Sequence, residues 1–216
     1  MPENRKIRIA LALLLVFSAL VRALVAGSIE LGNDEVYYWV YAKYPDLSHF
    51  DHPPLVGLLV QATTLNLWID HEFFIRLGPV LLGTVSTWLM FLIGKSVRDE
   101  LTGFYAALLF TASFYGFILS GTFILPDTPQ LFFWLLTLWL LLKSLPAQDP
   151  EKRHRNMIFW AGITAGLAFL SKYHSLFLPA GAFAFILFHN RRWFRVKESY
   201  MRSEEHTSEL QSPNTI

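Results

Sequence analysis

The sequence predicts an all-α protein, a polytopic bundle of transmembrane helices. Three observations predict it. Of 216 residues, 53% are hydrophobic and 16% aromatic, and the mean hydropathy is +0.37, richer in apolar side chains than a water-soluble domain of this size. Six apolar segments recur, over 9–26, 77–94, 103–122, 128–145, 157–171 and 174–188. Lys and Arg gather in alternate connections. The net charge of +1 excludes nothing, and the absence of cysteine excludes disulfide and thiolate chemistry.

The first segment follows Arg5, Lys6 and Arg8. It is too long for the apolar core of a signal peptide, and Ala23, Ala26 and Gly27 make a poor cleavage site, so it reads as a retained span. A spanning helix needs about 20 apolar residues. The first four segments meet that length; the fifth and sixth need their flanks or a close re-entrant turn around Ser171-Lys172-Tyr173-His174. With a cytoplasmic N-terminus, the inner connections hold Arg5, Lys6, Arg8, Lys95, Arg98, Lys143, Lys152, Arg153, Arg155, Arg191, Arg192, Arg195 and Lys197, and the outer ones only Lys43, Arg76 and Lys172. That bias orients the bundle, with the outer side a periplasm or equivalent lumen and the setting an inner (plasma) membrane.

The outer connections carry the chemistry. The first runs from Gly27 to Arg76 and opens with Gly32-Asn33-Asp34-Glu35-Val36-Tyr37-Tyr38-Trp39. An acidic pair directly after a span lies at the membrane surface, and the rings beside it suit either the interface or a sugar platform. Ser48-His49-Phe50-Asp51-His52-Pro53-Pro54 follows. Its prolines stiffen the chain and bar helix at His52. Leu55–Ile69 is too short to span and is expected to lie as a helix in the interface. His49 and His52, with Asp51 or Asp34, are candidate metal ligands, although a His beside Pro in a loop is more often a hydrogen-bonded structural residue.

The third and fourth spans meet in Gly121-Thr122-Phe123-Ile124-Leu125-Pro126-Asp127-Thr128-Pro129. Asp127 is placed to N-cap the fourth span, with Pro129 in its first turn, and also sets a carboxylate at the outer surface. The fifth span closes on Ser171-Lys172-Tyr173. A lysine here runs against the charge bias; it either snorkels or holds an anionic group. Arg22, about one turn below the outer end of the first span, has the same two readings. A charge near hydrocarbon marks function by default.

Residues 201–216 are polar and aperiodic, and Arg202–Ser212 looks like a translated sequencing-library adapter. They are set apart from the fold, and the natural chain is expected to run on past Tyr200, leaving 1–200 as the N-terminal part of a larger membrane domain.

Four stretches together, Asn33–Trp39, Phe50–Leu55, Leu125–Pro129 and Gly166–Tyr173, resemble the GT-C membrane glycosyltransferases of the protein-O-mannosyltransferase superfamily, glycosyltransferase family 39 and the aminoarabinose transferases included. The resemblance covers about residues 7–195 and implies a GT-C-like bundle. It also implies a polyprenyl-phosphate-linked sugar as donor, transfer with inversion at the outer face, and a protein, lipid or glycan as acceptor. By the same resemblance Asp34 is the catalytic acid residue, with Glu35 beside it. Asp127 is implied to help hold metal or acceptor, and Lys172 to contact donor phosphate. Arg22, Tyr173 and His52 complete the expected substrate-binding set, and a divalent metal on Asp34 and Asp127 is the candidate cofactor. Nothing points to nucleic acid. Two other readings stand beside this one: a transporter or flippase of a lipid-linked substrate, and a truncated, inactive fragment.

Overall fold

The computed structural model describes residues 2–145, 152–189 and 191. Among them there is no strand. Eight α-helices follow in order: α1 (Pro2–Ser28), α2 (Asn33–Lys43), α3 (Leu55–Thr63), α4 (Glu72–Val97), α5 (Glu100–Ala112), α6 (Asp127–Ser144), α7 (Lys152–Phe169) and α8 (Phe177–His189). The tail read as foreign to the fold lies outside the described residues.

Among the described residues two helices are long and apolar enough to cross a bilayer, Asn4–Ser28 and Glu72–Val97. They correspond to the first two expected spans. The expected third span is not one helix. It breaks at Ser113, whose backbone is extended (ψ 144°), and resumes as a π-turn over Tyr115–Leu119. Such π-turns are rare and cluster at functional positions. The expected interfacial helix stops at Thr63 instead of Ile69, because Leu65, Asn66 and Leu67 all adopt positive φ (51°, 60°, 63°). Three successive left-handed residues cannot continue a right-handed helix. The segment after Gly32, read only as the start of a loop, is helical.

Helix α4 is the hub, packing on α1, α3, α5 and α6, while α6 pairs with α7 and α2 with α3. Leu89 and Ile93 of α4 meet Leu135 of α6 in one apolar cluster, and Phe91 meets Leu11 and Ala107 of α1 and α5 in another. Hydroxyl pairs lock neighbours where no water competes: Thr87 to Thr111 at 2.9 Å joins α4 to α5, and Thr137 to Thr164 at 2.7 Å joins α6 to α7. Close approach is decisive at Gly83 of α4, where a Cβ would stand 2.5 Å from the Gly121 Cα. Leu13, Phe17 and Leu24 of α1 face outward, each at least 66% exposed. In water such a face would be unsupported; against lipid tails it is the ordinary surface.

The helical hairpin α2–α3 covers one end of this bundle. Tyr41, Ala42, Val56 and Val60 pack there on Ile75 and Ile124. The Leu55 amide donates to the Leu170 carbonyl at 3.3 Å, which ties the start of α3 to the end of α7. That bond brings the proline-rich loop beside Lys172.

Candidate active site

The site is built from four chain segments that meet at this covered end. The first is the start of α2. Gly32 caps it with an extended backbone, and Asp34 and Glu35 lie in the first turn, where the helix dipole favours carboxylates. The two acids diverge. Asp34 is exposed, whereas Glu35 is buried.

Glu35, expected beside Asp34 in the catalytic role, is engaged in a buried ion pair. Its Oε1 accepts from Arg76 Nε at 2.8 Å and from the Ile124 amide at 3.1 Å. Its Oε2 accepts from Arg76 Nη2 at 2.6 Å and the Gly32 amide at 3.0 Å. Both oxygens are committed, and a bidentate Arg fork is the strongest partner a carboxylate finds in a protein. Arg76, fully buried, also donates to the carbonyls of Ala26, Ile29 and Glu30, which lets the end of α1 close without water. One ion pair thus fixes the end of α1, the start of α2, the start of α4 and the strand of chain leading to Asp127. Arg76 entered the sequence reading only as a count of outer charges. The available signal was an arginine beside Gly78-Pro79 at the mouth of an apolar helix, a position costly unless paired.

Asp127 and Lys172 form the second feature. Lys172 Nζ donates to both Asp127 oxygens at 2.9 and 3.0 Å, and the Tyr115 hydroxyl donates to Oδ1 at 2.9 Å. The pair is partly open, with side chains 25% and 19% exposed. The expected N-cap role of Asp127 is corrected. Pro126 occupies the cap position and makes no side-chain cap bond, while Asp127 is the first helical residue. Its side chain turns to Lys172 instead.

The Pro loop supplies the third feature. His52 sits with its ring 5.8 Å from that of Tyr38, and its Nδ1 is buried without a hydrogen-bond partner. Burial, and then the Lys172 ammonium, hold its pKa below the ordinary histidine value, so the imidazole is neutral at pH 7. Asp51 accepts from the Tyr37 hydroxyl at 3.0 Å, and His49 stacks on Tyr41 at 3.6 Å between ring centroids.

Tyr38 lies in the field of several acids. Burial pushes its phenol up to about 12, reinforced by the negative fields of Tyr41, Asp34, Asp127 and Asp51. Asp34 and Asp127, 93 positions apart in the sequence, both raise the Tyr38 phenol, and Lys172 acts on the His52 imidazole, whose ring lies beside Tyr38. Tyr173 lies half-exposed, its ring edge-on to Phe169 at 5.3 Å.

One expected member falls elsewhere. Arg22, expected to contact substrate, is fully buried inside the bundle, its guanidinium carbon 4.9 Å from the Phe117 ring centroid. Among the described residues no three His, Asp or Glu side chains gather as metal ligands, and both Asp127 oxygens accept from the Lys172 ammonium.

An exposed carboxylate, Asp34, and a partly open Lys172–Asp127 pair are thus carried on a buried scaffold in an apolar helical bundle. Residues 51–203 match the dolichyl-phosphate-mannose-protein mannosyltransferase family, and the chain belongs to that family of membrane glycosyltransferases. It is also 31% identical over 156 residues to the lipid A galacturonosyltransferase RgtD of Rhizobium johnstonii, an alignment covering 71% of this chain and 32% of that protein. The chain spans about a third of the length of that curated relative. No solved structure matches.

Proposed function

We propose that this chain forms the donor-side half of a glycosyltransferase site that moves a sugar from a polyprenyl-phosphate carrier to a hydroxyl acceptor. The observation that carries the reading is the Lys172 ammonium held on both Asp127 oxygens, tied through the Leu55–Leu170 bond to the loop of His52, with the exposed Asp34 in the first turn of α2 whose Tyr38 meets the His52 ring. The acceptor oxygen attacks the anomeric carbon as the bond from that carbon to the phosphate oxygen breaks, which inverts the centre. Asp34, exposed, takes the acceptor's proton. The leaving phosphate gains negative charge, and the Lys172 ammonium is the cation beside it. Neutral His52 offers a hydrogen bond to the sugar without adding charge, and Tyr38 and Tyr173 offer ring faces and hydroxyls.

In this proposal all six apolar segments cross the membrane and the site faces the outer side. Helices α6 and α7, each of 18 residues, reach about 27 Å at the standard rise, close to the hydrocarbon thickness of about 30 Å. The basic residues Arg8, Lys95 and Arg98 lie at the opposite end from Asp34 and Lys172, and Arg8 and Lys95 both pair with Glu100 there.

The test is transfer of a labelled sugar from polyprenyl phosphate by the full-length protein in membranes. Asp34→Asn is expected to lower turnover by at least about 1000-fold while insertion and expression persist, the scale of removing a general base and its field. Turnover within tenfold of the unsubstituted protein would sink Asp34 as the base.

A further inference from the structure

Tyr115 matches no sequence motif, and the transfer step above does not use it. Yet its hydroxyl is the third ligand of the Asp127–Lys172 pair, at 2.9 Å from Asp127 Oδ1. Tyr115 opens the π-turn, and that turn is heavily secured. The Tyr115 carbonyl accepts from the Ser120 amide at 3.0 Å and from its hydroxyl at 2.9 Å. The Gly116 amide donates to Ser113 Oγ at 3.0 Å, and the Thr122 hydroxyl donates to the Phe117 carbonyl at 2.7 Å.

The strongest constraint comes from another helix. Arg22 of α1 donates from Nη2 to the Gly116 carbonyl at 3.3 Å, lies over Phe117, and packs so close that a Cβ on Gly121 would stand 2.9 Å from its Nε. Arg22 Nε and Nη1 have no hydrogen-bond partner. An incompletely paired guanidinium buried in an apolar bundle is destabilising by itself. Its hydrogen bonds and its ring contact fall on the π-turn and on Thr87, 3.5 Å from Nη2.

We propose that Tyr115 is a positioning residue for donor binding, setting Asp127 and through it Lys172, and that Arg22 acts behind it by fixing the π-turn that carries Tyr115. Lysine has a flexible four-carbon stem. A carboxylate free to rotate would let the ammonium wander with it. The phenol removes that freedom, so the cation already stands in one place when a lipid phosphate arrives, and less ordering opposes binding. This rests on the reading of Lys172 as the donor-phosphate cation.

Two measurements on the full-length protein in nanodiscs test it: binding of polyprenyl phosphate alone, and transfer kinetics with donor and acceptor varied separately. Tyr115→Phe keeps the ring and loses one hydrogen bond to a charged group, so polyprenyl-phosphate affinity should fall about tenfold. Donor KM should rise in parallel, with acceptor KM and kcat within about twofold. Arg22→Met should reproduce that pattern and Arg22→Lys a weaker form of it. In a Lys172→Met background Tyr115→Phe should add nothing, because the group it positions is gone. The inference is overturned if Tyr115→Phe leaves phosphate binding intact, if it weakens donor and acceptor alike, or if its effect persists without Lys172. If the protein binds polyprenyl phosphate with this dependence on Tyr115 but transfers no sugar, the transferase reading fails and the positioning role stands. If it binds no polyprenyl phosphate, both fall.

Discussion

Arg76 and Glu35 show what a single pair of side chains can decide. Each is nearly or wholly removed from solvent, at 0% and 5% side-chain exposure, so neither charge survives without the other. Arg76→Met would strand a buried carboxylate and is expected to destabilise the protein by about 3–5 kcal/mol. Loss of heat resistance in detergent, measured as the midpoint of aggregation, checks it; an unchanged midpoint would mean that water reaches Glu35. His52 makes a second residue-scale prediction. Its pKa in the folded loop lies below the unfolded value of about 6.5. Below that pH the unfolded loop binds a proton that the folded loop refuses. Stability is therefore full above about pH 6.5 and declines as pH falls towards the folded value. Hydrogen-exchange protection factors over 49–55, which divide out the intrinsic pH dependence of amide exchange, should fall on acidification, and His52→Gln should remove that fall.

At the scale of elements, the site depends on two irregularities in otherwise regular helices. The π-turn after Ser113 rotates the chain so that Tyr115 faces Asp127, and the left-handed turn Leu65–Leu67 ends α3 in time for the chain to reach Arg76. Both are held against α4. Gly83 is the contact that admits the Gly121 turn, so Gly83→Ala should force the two apart and cost about 1–3 kcal/mol. Gly162→Ala on α7, where a Cβ meets nothing within 4 Å, is the matched control and should be neutral or slightly stabilising. Equal melting behaviour of the two variants would contradict the packing around α4. The sequence offered the apolar segments and the proline stop before α3. It did not offer the break at Ser113, because Phe110-Thr111-Ala112-Ser113-Phe114 carries no Pro or Gly to announce one, and the break is stabilised by Arg22 from a distant segment.

For the whole molecule, the proposed topology is testable with introduced thiols, because residues 1–216 contain no cysteine of their own. Leu47→Cys, at a position 90% exposed in the loop between α2 and α3, should react with a membrane-impermeant maleimide applied to intact cells. Arg98→Cys, between α4 and α5, should react only after permeabilisation. The reverse pattern would turn the site to the cytoplasmic side.

Composition and the spacing of apolar runs were enough to determine a helical membrane protein, and ordered short motifs were enough to mark its family and the segments that carry Asp34, His52, Asp127 and Lys172. Those features are local: a run of apolar residues partitions into lipid whatever its neighbours are. The roles within each segment were decided only in three dimensions. Asp34 and Glu35 are adjacent and chemically alike, yet one is presented and the other consumed, because Arg76 from α4 reaches only the buried face of α2. Arg22 and Lys172 are both cations near the end of an apolar helix, yet Phe117 and Gly121 enclose the first while Asp127 and Tyr115 display the second. Partner and burial come from segments distant in the chain, and no single stretch of sequence records them.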